Sequence, residues 1–161
     1  MKFGAIGHSA LSVITALLVT GSAALPHSAA FAQATPVYQG RIVYPDFAGR
    51  DRAFSMFKTR IINEMRTGPN FAGRYAMVEL GCGTSCRFVL IADVATGKVS
   101  RFPYGGEEYY GLWLTYNVKS PYVEAQWESG GRCLKDTLNW NGVRFVSTNR
   151  RVAGGPSACE L

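Results

Sequence analysis

Residues Tyr75 to Phe102 read Y-A-M-V-E-L-G-C-G-T-S-C-R-F-V-L-I-A-D-V-A-T-G-K-V-S-R-F, and this stretch decides the fold. Ala76, Val78 and Leu80 recur with a period of two, which puts them on one side of a strand. Phe88 to Ala92 is apolar without a break, so the strand Arg87 to Asp93 is buried on both faces and central in its sheet. Ala95-Thr96-Gly97-Lys98 reads as a tight turn with Gly97 in a left-handed conformation. Lys98 to Phe102 is then the returning strand. Links this short cannot carry a parallel crossover, so the pairing is antiparallel.

Downstream, the strand pattern continues. Leu112, Leu114, Tyr116 and Val118 share one face of a strand. Val123, Ala125 and Trp127 face inward on Tyr122 to Ser129, with Glu124, Gln126 and Glu128 outward. Gly130-Gly131 turns the chain. Leu134, Leu138 and Trp140 mark a further strand, Asn141-Gly142 signals a two-residue hairpin, and Val143 to Thr148 closes it. The tail from Asn149 is polar and punctuated by Gly and Pro. Upstream, Phe54, Phe57, Ile61 and Met65 form an apolar stripe at spacings of three and four, which predicts one amphipathic helix over Asp51 to Thr67. Asp51 suits its N-cap and Gly68-Pro69 its end. Residues 33–50 read as an extended lead-in with a short strand at Gln39 to Tyr44. The expected fold is α+β, with six to seven antiparallel strands in a meander, curled or closed into a small barrel, and one helix packed on it. Residues 51–161 form a single domain with no internal repeat.

Residues 1–32 have the three parts of a secretory signal: Lys2 at the start, a short apolar run over Ala10 to Val19, and an A-x-A exit at Ala30-Phe31-Ala32. The run falls short of the ~20 apolar residues needed to span a bilayer. No Cys precedes Cys82, so no lipid anchor follows the cleavage site. The expected location is the periplasm or the medium, with no transmembrane segment in the mature form. Both histidines, His8 and His27, lie in this segment. A mature chain without histidine has no Ser-His-Asp or Cys-His-Asn catalytic site and no histidine-ligated metal centre.

Four cysteines remain: Cys82, Cys86, Cys133 and Cys159. An even number in a small exported domain points to disulfides. Of three possible pairings, Cys82–Cys86 with Cys133–Cys159 is favoured, because Cys82 ends one strand and Cys86 begins the next. Chain entropy assigns about 2 kcal/mol to the short loop and about 3.5 kcal/mol to the longer one. A four-cysteine zinc site needs two tight pairs, and a redox pair usually has C-x-x-C spacing. Neither pattern fits well.

The carboxylates offer little catalysis. Glu107 and Glu108 are adjacent and cannot face each other. Glu124 and Glu128 lie about 13 Å apart along one strand face, too far for glycosidase geometry. Gly97-Lys98 is no phosphate loop, with Ala92 and Val99 at positions that need Gly and Ser or Thr. The sequence therefore indicates no catalytic residue, no metal and no cofactor. The net charge of +6 is spread along the chain rather than gathered in a run, which does not suit a nucleic-acid partner.

Two candidate binding segments remain. Pro103 to Gly111 is the longest Gly-rich loop, and its Tyr104, Glu107, Glu108, Tyr109 and Tyr110 suit recognition. The turn Gly81 to Cys86 has backbone N–H groups that could hold an anion between Arg74 and Arg87. The competing reading puts Tyr109 and Tyr110 against the helix and Trp113, Trp127 and Trp140 in the core.

Asn70-Phe71-Ala72-Gly73-Arg74-Tyr75 followed by Gly81-Cys82-Gly83-Thr84-Ser85-Cys86 resembles a family of small exported bacterial proteins with F-A-G-basic-Y, a strand, and G-C-G-x-x-C. Asp93 to Val99 and Trp140 to Phe145 fit the later turns of that family. Leu80 stands where the family commonly has Trp. The resemblance implies export and a small β-rich fold, and no chemistry.

The combined expectation is a monomeric exported binding protein, an inhibitor or envelope factor, with an unknown protein or glycan partner. The alternatives are a secreted effector acting on a host partner, and an enzyme using carboxylates or a Cys pair. One outcome follows from the signal alone: the exported protein begins at Gln33, and its intact mass lacks residues 1–32. A full-length chain held in the inner membrane would overturn this.

Overall fold

The computed structural model describes residues 35–159. The segment read as an export signal lies outside the described residues. Seven strands follow one short helical segment: β1 (Tyr75–Gly83), β2 (Cys86–Asp93), β3 (Val99–Gly105), β4 (Tyr110–Thr115), β5 (Tyr122–Ser129), β6 (Arg132–Trp140) and β7 (Phe145–Gly154). They form two antiparallel meanders, a three-stranded sheet β1-β2-β3 and a four-stranded sheet β4-β5-β6-β7. The expected single curled sheet or barrel is therefore corrected. The strand number and antiparallel pairing hold, but the sheet breaks between β3 and β4 and does not close. Gly105 and Gly106, both with positive φ, take the chain out of the first sheet at that break.

The helix also differs. Residues Arg52–Phe57 wind as a 3-10 helix, and only Lys58–Arg66 is α-helical, designated α1. The side-chain spacing accounts for the split. Phe54 and Phe57 are three apart, the repeat of a 3-10 turn, while Phe57, Ile61 and Met65 follow at the four-residue spacing of an α-helix. Ile61 and Met65 are fully buried, and both phenylalanines pack partly against the same cluster.

Alternation along the first sheet separates two cores. Ala76, Val78, Leu80, Leu90, Ala92 and Val99 face α1 and the lead-in residues Tyr38, Ile42 and Phe47. Met77, Val89, Ile91, Phe102 and Tyr104 face the second sheet and meet Leu112, Leu114, Val123, Ala125, Trp127 and Leu138. β2 contributes to both, as its unbroken apolar run requires. The outer face of the second sheet carries Thr115, Glu124, Gln126, Lys135 and Arg151 together with the exposed rings of Trp113 and Tyr122, opposite the buried side chains as in an antiparallel sheet with one solvated side.

Several local expectations are corrected. Gln39 to Tyr44 forms no strand; it runs extended, tied by the Val43 N–H to the Val94 carbonyl (2.9 Å). The β6–β7 connection has four residues rather than two, because Trp140 and Phe145 are the last pair. Asn141 Oδ1 closes it by accepting from the N–H groups of Val143 (3.0 Å) and Arg144 (2.9 Å). The segment from Asn149 is largely strand, since β7 runs to Gly154. The turn at Gly97 is as expected, with φ +72°.

Asp51 makes no side-chain cap. It is 1% exposed, and it joins the lead-in to the first sheet. Its Oδ1 accepts from the Val99 N–H (3.0 Å), and its Oδ2 accepts from the Asp46 N–H (3.1 Å) and from Arg50 (2.8 Å). Burial pushes the Asp51 carboxyl up, but the Arg50 guanidinium and the two backbone donors outweigh it and hold the group below its ordinary value. Asp93 behaves alike: burial raises it, and Arg74, Thr96 and the Ala95 N–H lower it further than burial raises it.

Both folded-state values lie below the unfolded ones, so these carboxylates stabilise fully above an unfolded pKa of about 3.9 and lose that contribution as pH falls through the folded values. The urea midpoint is expected to hold steady down to about pH 5 and to fall below about pH 4. Asp51→Asn with Asp93→Asn should lower it at pH 7 and flatten the acid limb. An acid limb unchanged by the double substitution would show that other groups govern it.

Candidate functional site

The tip of the β1–β2 hairpin is where chemistry-bearing residues gather. Cys82 and Cys86 are joined by a disulfide across Gly83-Thr84-Ser85, with Cα atoms 5.0 Å apart. Cys133 and Cys159 form the second bridge, Cα atoms 5.3 Å apart, which ties the segment after β7 to β6. The favoured pairing is the one the structure contains, and it uses all four cysteines.

Both neighbouring strands grip the tip. The Gly106 N–H, just past β3, donates to the Arg87 carbonyl (2.8 Å), and the Gly111 N–H on β4 donates to the Ser85 carbonyl (2.9 Å). Gly105 makes the first approach possible: with φ +153°, a Cβ there would stand 2.8 Å from Phe88 Cα. Each side of the tip borders an open cleft. One, of about 430 Å³, is lined by Cys82, Cys86, Arg101, Pro103, Gly106 and Glu107, among others. The other, of about 500 Å³, is lined by Glu79, Gly81, Ser85, Cys86, Arg87 and Trp113, among others.

The second cleft has the more defined chemistry. Arg87 Nη1 donates to Glu79 Oε2 (2.7 Å), and the Tyr116 hydroxyl donates to Glu79 Oε1 (3.1 Å). Burial, then the charge of Glu79, push the Tyr116 hydroxyl far above its ordinary value, so it stays a donor. The Arg87 guanidinium lies 5.3 Å from the centroid of Trp113, within cation–π range. Trp113 is 46% exposed. The cleft thus offers a water-facing indole, a guanidinium and a carboxylate, each held by a named partner.

The sequence-predicted site residues do not form one surface. Glu107 and Glu108 are exposed on a short 3-10 turn, Glu107–Tyr109, and Tyr110 is 48% exposed. Tyr104 is buried; its hydroxyl donates to Asp136 Oδ2 (2.6 Å), and burial, then that hydrogen bond, push it far above its ordinary value. Tyr109 stacks on Tyr104 at 4.9 Å and meets Trp127 at 5.3 Å. The supposed loop is mostly the end of β3 and the start of β4, and two of its tyrosines belong to the core. That core joins the two sheets and lies away from α1, so the helix-packing alternative is corrected too.

Arg74 stands at the opposite end of β1 from the tip. It forms a bidentate pair with Asp93 (2.7 and 2.6 Å), so the expected anion site between Arg74 and Arg87 does not form. Of the tryptophans, Trp127 is buried and Trp140 packs partly against the core. Trp113 faces water. The alternation of Leu112 and Leu114 already placed Trp113 on the other side of its strand, and that signal identifies it. Glu79 and Tyr116 had no such mark. Among the described residues no cluster of three or more His, Cys, Asp or Glu is placed to hold a metal, and no helix is long and apolar enough to cross a membrane.

Comparison with family models, with curated proteins and with solved structures finds no match in any of the three.

Adjacent tyrosines therefore differ in role. Tyr109→Ser should cost about 2 kcal/mol or more through lost ring contacts. Tyr110→Ser should stay within about 0.5 kcal/mol, as exposed substitutions do. Urea denaturation of the two single variants checks this, and equal effects would contradict the packing described.

Proposed function

We propose that this chain is a small exported binding protein, an inhibitor or envelope factor, that recognises a protein or glycan through the cleft between the hairpin tip and β4. The observation that carries this reading is Trp113, a half-exposed indole laid against Arg87 on a rigid frame. A large apolar ring left in water forgoes the stabilisation of burial, and such rings are enriched where partners dock.

The neighbouring groups suit the same role. The ring face of Trp113 fits the apolar face of a sugar or an aromatic side chain. Glu79 supplies an acceptor and Arg87 a set of donors at its rim. The short bridge and the two backbone hydrogen bonds at the tip reduce the ordering cost on binding, which is how preorganisation raises affinity. The export reading rests on residues 1–32 and agrees with a chain carrying two disulfides.

The test is comparative. Wild-type protein and Trp113→Ala are applied to an array of neutral and acidic oligosaccharides and to envelope-protein fractions, with melting temperature measured alongside. The expected result is a ligand whose affinity falls about tenfold or more in Trp113→Ala, the loss of a hot-spot side chain. The melting temperature should shift little. A ligand bound equally by both proteins would remove this cleft from the proposal.

A further inference from the structure

The two disulfides occupy opposite surroundings. Cys133 and Cys159 are both buried, with Cys133 on β6 inside the second sheet. Cys82 is exposed, Cys86 is half-buried, and the three residues between them are all exposed. The tip bridge borders both clefts. Ser85, inside its ring, holds φ +55°, a left-handed conformation uncommon for a residue other than glycine. The Ser85 carbonyl is also the acceptor for the Gly111 N–H that fastens β4. The bond that closes this turn therefore holds the backbone on which the start of β4, and Trp113 two residues on, is positioned.

We propose that Cys82–Cys86 is a thiol–disulfide exchange site for an external dithiol reductant, that it opens while Cys133–Cys159 stays closed, and that its opening reshapes the Trp113 cleft. The exchange step stands whether or not the cleft binds a partner. A thiolate of the reductant attacks the Sγ of Cys82, the more exposed residue of the pair. The protein's S–S bond breaks, a mixed disulfide forms on Cys82, and Cys86 leaves as the thiolate. The reductant's second thiolate then attacks its own sulfur in the mixed disulfide, and Cys82 leaves. Two electrons pass from the dithiol to the protein. The dithiol ends as a disulfide, and its two protons end on Cys82 and Cys86.

Access governs the rate of such exchange, and exposed bridges are the labile ones. The cross-strand hydrogen bonds of β1 and β2 run from Tyr75↔Asp93 to Gly81↔Arg87 without the bridge, so the hairpin persists once the tip is reduced. Freed from its ring, Ser85 can leave the left-handed region, and the Ser85–Gly111 hydrogen bond loosens with it.

The oxidised protein is titrated with dithiothreitol, quenched with an alkylating agent and mapped by mass spectrometry. Label is expected on Cys82 and Cys86 about tenfold or more faster than on Cys133 and Cys159, in protein that keeps its far-ultraviolet circular dichroism and a cooperative urea transition. A single exposure to glutathione should place the adduct on Cys82. Tryptophan emission should shift in the partly reduced form and stay constant in Trp113→Phe. Both bridges opening together, the buried bridge opening first, the adduct on Cys86, or an emission shift that persists in Trp113→Phe would each overturn the proposal. Failure of Trp113→Ala to affect ligand binding would leave the reduction pattern untouched, so the two readings fail separately.

Discussion

A buried hydrogen bond between Tyr104 and Asp136 crosses from one sheet to the other. The two sheets share no ladder, and their backbones meet only at isolated points such as the Gly111 N–H on the Ser85 carbonyl, too few to set the register of the packed faces. Apolar contacts between them are strong but non-directional. Asp136 has no exposed surface, and an ionisable group so placed must be satisfied or become very costly. Its Oδ2 accepts from Tyr104 on β3, and its Oδ1 accepts from Ser147 Oγ on β7 (2.8 Å). Satisfying both oxygens requires β3, β6 and β7 to meet in one register. Arg150, the cross-strand partner of Asp136, lays its guanidinium over Trp127 at 5.1 Å and Tyr104 at 5.9 Å.

The candidate site follows from that constraint. With the sheets locked face to face, β4 is the edge of the second sheet nearest the hairpin of the first. The tip of that hairpin extends past the packed region, so its residues are exposed while those a few positions back are buried. Gly106 and Gly111 bind it from either side, and a cleft remains on each. Asp51 does on the other face of the first sheet what Asp136 does between the sheets: one buried carboxylate collects donors from separate segments and sets their distance.

Legibility in the sequence followed the range of the interactions. The alternation of Val123, Ala125 and Trp127 named a buried face, and the unbroken run at Phe88 to Ala92 named a central strand. Both are patterns within one element. The Cys82–Cys86 pairing was legible because it depends on which strand ends lie together. The Pro103 to Gly111 segment misled because glycines and exposed-looking tyrosines read as a loop. Gly105 in fact serves a close approach to Phe88, and Tyr104 and Tyr109 fill the core. Asp51 looked like a helix cap because it precedes an apolar stripe, yet its carboxylate is taken up by Val99, distant in sequence.

The sequence by itself determined most of the strands, their antiparallel pairing and the faces they bury, and it favoured the pairing of the two bridges, because periodicity, turn chemistry and short links act between neighbours. Only the tertiary structure decided that the strands form two sheets, that Arg74 and Arg87 lie at opposite ends of one hairpin, and that Glu79, Arg87 and Trp113 share a cleft, with Tyr116 donating to Glu79. Those outcomes depend on how one face packs on another. Buried hydrogen bonds between residues tens of positions apart select that packing, and no local pattern encodes them.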